Sequence, residues 1–142
     1  MQKPAIKILW VEDNMGDILL IKEAFEQIGL NHNLNVVNDG ADAMDFLFRR
    51  GHYAHTSRPD IIVLDLNLPK KSGREVISEI KADSALLGIP LVVLTSSNAD
   101  RDVLDGFDPK RCLYLVKPLS FLALVDLSKQ LQNFLSSLTS TD

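Results

Sequence analysis

The sequence predicts a single α/β domain organised around a parallel β-sheet. Four short apolar runs, rich in leucine and β-branched residues, supply strands; they are Ile6 to Val11, Ile61 to Leu64, Leu91 to Leu94 and Leu113 to Val116. Runs this short and this uniformly apolar are typical of strands covered on both faces. Segments with helical spacing separate them, and strands alternating with helices are typical of a parallel sheet with right-handed crossovers.

The first half of the chain supplies two helices and one further strand. Apolar residues at helical spacing begin near Gly16 and again near Gly40. Between these helices, Leu34 to Val37 predicts a weaker strand, and we place it at an edge of the sheet because asparagines alternate with its apolar residues. The segment Arg49 to Pro59 is polar and has no period, which predicts a surface excursion.

The second half supplies three more helices. One begins near Gly73, a shorter one covers Asp100 to Phe107, and the last runs from Ser120 to Leu138. The prediction is therefore five strands and five helices. Trp10, within the first strand, is expected in the core, and Cys112 is expected to be a small buried residue.

Composition argues against several other classes of protein. The chain has 142 residues, 46% of them hydrophobic and 24% charged, which is the size of one domain. Its single cysteine cannot form an intrachain disulfide, and we find no secretory leader and no apolar run of about 20 residues. With 19 acidic and 15 basic residues, the net charge of −4 argues against nucleic-acid binding through overall charge. We expect a cytoplasmic protein that binds neither nucleic acid nor membrane.

Charged and hydroxyl-bearing residues terminate four of the predicted strands. They are Glu12 and Asp13 after the first strand, Asp65 at the end of the third, Thr95 and Ser96 after the fourth, and Lys117 after the fifth. In open parallel sheets, ligands bind outside the carboxyl ends of the strands. We therefore expect three carboxylates, a pair of hydroxyl groups and an ammonium group to converge at one edge of the sheet.

Each of these residues has an ordinary structural explanation when it is taken alone. Asp13 could begin a helix, Thr95 could cap one, and Lys117 could lie in a loop. Their joint placement is not explained in this way, since clustered carboxylates repel and raise one another's pKa unless a cation is bound. Mg²⁺ binds a few carboxylate or carbonyl oxygens and keeps waters that a phosphate can replace. The set therefore predicts a site for Mg²⁺ and a phosphoryl group.

The spacing of these residues resembles that of one known family. Thr95-Ser96 lies thirty residues after Asp65, and Lys117-Pro118 lies fifty-two residues after it. Together with Glu12-Asp13, this pattern resembles the receiver domain of two-component response regulators, and the resemblance extends from about Lys7 to Leu135. It implies a doubly wound, flavodoxin-like fold in which five parallel strands take the order 2-1-3-4-5.

Two segments resemble those of one particular group within this family. The insertion Arg49 to Pro59 and the segment Asp65 to Val76 are most similar to those of the small stand-alone regulators that partner cyanobacterial phytochromes. We therefore expect residues 1–142 to form one receiver domain with no attached output domain. The expected partner is a sensor histidine kinase, with a phytochrome as the candidate, and output would pass through a downstream protein that the sequence does not name.

The resemblance also implies a role for each site residue. Asp65 would be the phosphoacceptor, a carboxylate nucleophile that takes a phosphoryl group from a kinase phosphohistidine and forms an acyl phosphate. The implied Mg²⁺ ligands are Glu12, Asp13, Asp65 and the backbone carbonyl of Asn67. Thr95 and Lys117 would contact the phosphoryl group, and the Lys117-Pro118 bond is expected to be cis. Tyr114 holds the position of the family's switch aromatic, the alternative being an ordinary packed tyrosine.

The last helix carries more apolar surface than one sheet needs to cover. Its apolar residues fill about half of the helix circumference; they are Phe121, Leu124, Val125, Leu127, Leu131, Phe134, Leu135 and Leu138, with Leu122 beyond that arc. The resemblance implies a homodimer through the fourth helix, the fifth strand and the fifth helix. The alternative is a wide core stripe that neighbouring loops cover.

Two other functions compete with a phosphorylation-switched signalling module. A Mg²⁺-dependent phosphohydrolase of the haloacid-dehalogenase type needs a second aspartate two residues after the nucleophile, where this chain has Asn67. A pseudo-receiver is usually marked by loss of the acceptor aspartate or of the lysine, and both Asp65 and Lys117 are present. We therefore expect a signalling protein whose only chemistry is Mg²⁺-dependent self-phosphorylation from a phosphodonor and autodephosphorylation.

Overall fold

The computed structural model describes residues 5–29, 31–68, 71–117 and 120–139. Five parallel strands form one sheet; they are β1 (Ile6–Val11), β2 (His32–Val37), β3 (Ile61–Asp65), β4 (Leu91–Thr95) and β5 (Cys112–Val116). Their order is β2-β1-β3-β4-β5, which confirms the predicted doubly wound fold and places β2 at an edge.

Helices cover both faces of the sheet. They are α1 (Met15–Gln27), α2 (Gly40–Leu47), α3 (Gly73–Lys81), the short α4 (Ser84–Leu87) and α5 (Phe121–Thr139). The apolar residues of α1 and α5 pack on one face of the sheet with Trp10, which is fully buried as predicted. Those of α2, α3 and α4 pack on the other face. No helix in the described ranges is both long enough and apolar enough to cross a lipid bilayer.

The predicted fourth helix differs from the prediction in its type and in its bounds. The segment expected to form a helix from Asp100 to Phe107 is a 3-10 helix, Asn98–Leu104. The four-residue α4, which we did not predict, precedes β4. Four of the residues between 98 and 105 are asparagine or aspartate, whose side chains compete for backbone hydrogen bonds and disfavour a long α-helix. Gly106, at φ 94°, then turns the chain towards β5.

The excursion at Arg49 to Pro59 contains a short 3-10 helix, Gly51–Tyr53, and is largely exposed. Tyr53 fixes it to α2, because its hydroxyl donates a hydrogen bond to Asp42 at 2.8 Å and its ring centroid lies 5.1 Å from that of Phe46. Arg50 and Arg58 add contacts to Asp45 and to the Leu47 carbonyl, so the insertion is a surface feature held against α2 by side chains.

In α5, the apolar stripe is mainly core. Leu124, Leu127 and Leu131 are buried, and Phe121 and Val125 are half-buried, whereas Leu122 is 78% exposed. The side chains of Phe134, Leu135 and Leu138 lie outside the described residues. In the described part of α5, most of the apolar side chains belong to the wide core stripe, and Leu122 is the apolar side chain that stays clearly exposed.

A close approach between α3 and the end of β3 positions the loop that follows Asp65. The backbone N–H of Gly73 donates to the Leu66 carbonyl at 3.1 Å. A Cβ atom at Gly73 would lie 2.5 Å from Leu66 Cα and 2.8 Å from the Asp65 carbonyl oxygen. Only glycine lets the helix begin so near the strand, so this residue sets the distance between α3 and the carboxyl edge.

We expect Gly73→Ala to lower the free energy of unfolding by about 1 to 3 kcal/mol, because backbone atoms must shift to admit the methyl group. Urea denaturation measures the change. Gly88→Ala is the matched control, since a Cβ there meets nothing closer than 3.8 Å. Equal stabilities of the two variants would contradict the close approach.

Candidate functional site

Three carboxylates meet at the carboxyl edge of the sheet, as the strand ends predict. Glu12 and Asp13 follow β1, and Asp65 is the last residue of β3. One oxygen from each lies within 4.8 Å of the other two. Glu12 and Asp65 are 1% and 4% exposed, whereas Asp13 is open to solvent. This group could hold a hard divalent cation, since Mg²⁺ prefers carboxylate oxygens.

Lys117 lies against two of these carboxylates. Its Nζ atom donates to Asp65 Oδ2 at 2.8 Å and to Glu12 Oε1 at 2.9 Å. The backbone N–H of Lys117 donates to the Thr95 carbonyl at 2.7 Å, which fixes where the chain leaves β5. Pro118 lies outside the described residues, so the expected cis bond stays a prediction.

A third carboxylate, that of Asp17, lies at this lysine and was not predicted. Asp17 Oδ2 lies 3.3 Å from Lys117 Nζ. Asp17 is in the first turn of α1, where its backbone N–H donates to the side chain of the capping residue Asn14 at 2.9 Å. Its position one turn after Glu12-Asp13 was the available signal, since the start of α1 must lie over the same edge.

The surroundings of the site raise the pKa of the Glu12 carboxyl and that of the Lys117 ammonium group, for different reasons. Burial raises the pKa of the Glu12 carboxyl to about 7, although the hydrogen bond from Lys117 opposes the rise. Burial acts to lower the pKa of Lys117, but hydrogen bonds to Asp65 and Glu12 outweigh it and raise the pKa above the usual range of a lysine. The ammonium group is thus charged at neutral pH and compensates the buried acids.

Asn67 lies beside Asp65. Its backbone N–H donates to Asp65 Oδ1 at 2.9 Å, which orients that carboxylate. Its side chain reaches Ser96 Oγ at 3.4 Å. The role of its carbonyl as a metal ligand stays a prediction.

Thr95 is buried at the end of β4, near the site. Its hydroxyl donates to Asp100 Oδ2 at 2.9 Å and accepts from the Ser97 backbone N–H at 3.2 Å. Asp100 also accepts from Arg74 at 2.6 Å. From the sequence, Asp100 is expected only at the start of a helix and Arg74 has no expected role, because nothing in the local pattern links these two residues.

Tyr114 lies on the face of β5 that the alternation predicts, opposite Leu113 and Leu115. Its hydroxyl donates to the Ser97 carbonyl and accepts from the Asp100 backbone N–H at 3.2 Å. Tyr114 is thus bound to the segment that follows Thr95, and its role as a switch stays a prediction.

Comparison with known proteins decides the family. Residues 8–129 match the family model of the response regulator receiver domain. The chain belongs to the response regulator receiver family. It is 42% identical over 131 residues to the response regulator Rcp1 of Synechocystis, covering 92% of this chain and 89% of that protein. It is 43% identical over 114 residues to a probable methanogenesis regulatory protein of Methanothrix harundinacea, covering 80% and 73%.

Solved structures of response regulators are similar to this chain in fold and sequence. The phosphorylated cyanobacterial phytochrome response regulator RcpA has a TM-score of 0.80 and 41% identity, covering 96% of this chain and 97% of that one. The Mn²⁺-bound form of Rcp1 has a TM-score of 0.76 and 38% identity over the same shares. This receiver domain is therefore a homologue of phytochrome response regulators, as its sequence resemblance indicated.

The raised pKa of Glu12 predicts a pH dependence of receiver stability. Between about pH 4.5 and about pH 7 the folded protein holds a proton on Glu12 that the unfolded chain has released, so this contribution to stability falls as the pH rises. We expect the free energy of unfolding of the metal-free wild type, relative to Glu12→Gln, to fall on the order of 2 kcal/mol across this window.

Urea denaturation at the two ends of the window, with a chelator present, measures the difference. Glu23→Gln, on the exposed side of α1, controls for the loss of one negative charge. If the free energies of unfolding of the wild type and Glu12→Gln differ by the same amount at both pH values, the raised pKa of Glu12 is contradicted.

Proposed function

We propose that this receiver domain accepts a phosphoryl group from a sensor histidine kinase on Asp65 and signals through a change of its partner-binding face. The observation that carries the proposal is the environment of Asp65. Its carboxylate is 4% exposed at a sheet edge, lies with the carboxylates of Glu12 and Asp13, and contacts the ammonium of Lys117 at 2.8 Å.

The cluster of three carboxylates fits a divalent cation, which we propose to be Mg²⁺. Glu12, Asp13 and Asp65 supply oxygens that lie close enough together to share one ion. The backbone carbonyl of Asn67 is the fourth proposed ligand. A bound Mg²⁺ would neutralise charge on the phosphoryl oxygens.

In the proposed reaction, the residues of the chain position the carboxylate and the incoming phosphoryl group. An oxygen of Asp65 attacks phosphorus, the bond from phosphorus to the histidine nitrogen breaks, and its electron pair stays on the imidazole, which takes up a proton. The Asn67 backbone N–H holds the other oxygen of Asp65, so one oxygen is oriented for attack. Lys117 exchanges a carboxylate contact for a phosphoryl oxygen, and Thr95 donates its hydroxyl to another.

The proposed partner is a histidine kinase, and we propose that this kinase is a phytochrome. The support is the similarity to RcpA and Rcp1, the first of which is described as a cyanobacterial phytochrome response regulator. We further propose that the protein acts in the cytoplasm and passes the signal to a downstream protein. Its chemistry is then confined to gaining and losing the phosphoryl group.

Incubation with a radiolabelled acyl phosphate such as acetyl phosphate and Mg²⁺ should label the protein, because Asp65 is the proposed nucleophile. The label should be released by hydroxylamine, which cleaves acyl phosphates. Asp65→Asn should abolish labelling, whereas Asp105→Asn, in an exposed turn, should not. A chelator should slow labelling by at least about tenfold, since the charge on the phosphoryl oxygens is then not offset. Full labelling of Asp65→Asn would disprove the proposed acceptor.

We also propose a homodimer through the 3-10 helix Asn98–Leu104, β5 and α5. The support is the incomplete covering of this side: every residue of β3 and β4 is buried, whereas the residues of β5 are half-buried or exposed. Val116 is 37% exposed and Leu122 is 78% exposed. Edge strands are normally covered or protected against pairing, and a second copy would cover this one.

Sedimentation at micromolar concentration tests the dimer. We expect the wild type to sediment as a dimer and Val116→Glu as a monomer, because a buried unpaired charge opposes association. Asn35→Glu is the control, since Asn35 is exposed on β2, the edge strand at the other side of the sheet. A monomeric wild type with and without phosphorylation would eliminate the dimer, and a dimeric Val116→Glu would eliminate the face.

A further inference from the structure

One residue connects Thr95 with Tyr114. The side chain of Asp100 accepts a hydrogen bond from the Thr95 hydroxyl at 2.9 Å, and the backbone N–H of the same residue donates to the Tyr114 hydroxyl at 3.2 Å. Thr95 is 1% exposed, so its hydroxyl cannot exchange this partner for bulk water. A displacement of Asp100 therefore affects both hydroxyl groups together.

Arg74 holds Asp100 in this place. Its guanidinium donates to Asp100 Oδ1 at 2.6 Å, while Thr95 occupies the other oxygen, Oδ2. The same guanidinium contacts Asp102 at 3.3 Å. Arg74 is the second residue of α3, so this ion pair connects the helix that begins beside Asp65 to the 3-10 helix that follows β4.

The Thr95 hydroxyl has a single proton to donate. Its oxygen accepts from the Ser97 backbone N–H at 3.2 Å, and its proton goes to Asp100. The hydrogen bonds from Arg74 and from Thr95 lower the pKa of Asp100, so this acceptor keeps its charge at neutral pH. Charge-assisted hydrogen bonds are the stronger kind, so any other acceptor must compete with a carboxylate that is already in place.

We infer that Asp100 and Arg74 are positioning residues that hold the Thr95 hydroxyl away from the phosphoryl site, so that phosphorylation of Asp65 must displace Asp100. This inference rests on the proposed function, in which Thr95 donates to the phosphoryl group. Loss of the Thr95 contact leaves the Asp100 side chain held by Arg74 alone, and a shift of the Asp100 backbone carries the change to Tyr114 on β5. The arrangement restrains phosphorylation and couples it to the proposed partner-binding face.

The test is a double-mutant cycle between Asp100 and Thr95, read as the single-turnover rate of labelling by acetyl phosphate with Mg²⁺. We expect Asp100→Ala to raise the rate about tenfold, the effect of removing one competing charge-assisted hydrogen bond. In the Thr95→Val background, the same substitution should change the rate less than about twofold, because Asp100 acts through the hydroxyl that is no longer there.

Two further variants keep the test independent of folding. Arg74→Gln, on a side chain that is 49% exposed, should raise the labelling rate in the same direction by a smaller factor. Asp102→Ala is the matched control, because Asp102 contacts Arg74 and its side chain has no hydrogen bond to Thr95 or Tyr114 among those found in the described residues. Its rate should stay within about twofold of the wild type. Thermal unfolding of each variant shows that it is folded.

The outcomes separate this inference from the proposed function. Two results would overturn the positioning role while Asp65 remains the acceptor. One is a labelling rate of Asp100→Ala that is unchanged or lower. The other is a rate that Asp100→Ala raises equally with and without the Thr95 hydroxyl. Labelling that persists in Asp65→Asn would instead overturn the proposed function. A cycle with coupling, together with a faster Arg74→Gln and an unchanged Asp102→Ala, supports both.

Discussion

The carboxylates of Glu12 and Asp65 depend on the ammonium group of Lys117, which contacts both of them within 2.9 Å. Two almost fully buried acids next to each other would otherwise repel and would lose the hydration that stabilises their charge. Hydrogen bonds from the Lys117 ammonium group satisfy both carboxylates without a metal ion. The same arrangement leaves the site able to exchange this internal cation contact for a metal ion and a phosphoryl group, which is the exchange that the proposed function requires.

The parallel sheet brings these charges together at little conformational cost. Each strand ends at the same edge, so residues far apart in the chain need only follow their strands to meet; Asp65 and Lys117 are 52 residues apart and in direct contact. Gly73 contributes by letting α3 begin within contact of the chain after β3. The helices then cover both faces, and the rigid core beneath the edge keeps the carboxylates in place.

The hydrogen bonds of Asp100 extend from this site towards the outer strand. A network of Arg74, Asp100, Thr95 and Tyr114 runs from α3 across β4 to β5, with Asp100 bonded to each of the other three residues. Under the proposed function this network has two arrangements, since the one proton of the Thr95 hydroxyl goes either to Asp100 or to a phosphoryl oxygen. A change at the phosphoryl site can therefore favour one arrangement over the other and shift the population of the proposed partner-binding face.

Strand periodicity and the residues at the strand ends predicted the parallel sheet and the meeting of Glu12, Asp13, Asp65 and Lys117, because a parallel sheet places its strand ends at one edge whatever the detailed packing. The family followed from the resemblance of these residues and their spacing to a known pattern. They did not predict the contact between Arg74 and Asp100. Those residues are 26 positions apart on different elements, and their distance depends on how α3 and the 3-10 helix pack. The same holds for the fourth helix, whose periodic pattern suggested an α-helix, while side-chain hydrogen bonds around Asn98–Leu104 accompany the tighter 3-10 form. Local patterns determine which elements form and where they end, but side-chain partners across elements follow from tertiary packing.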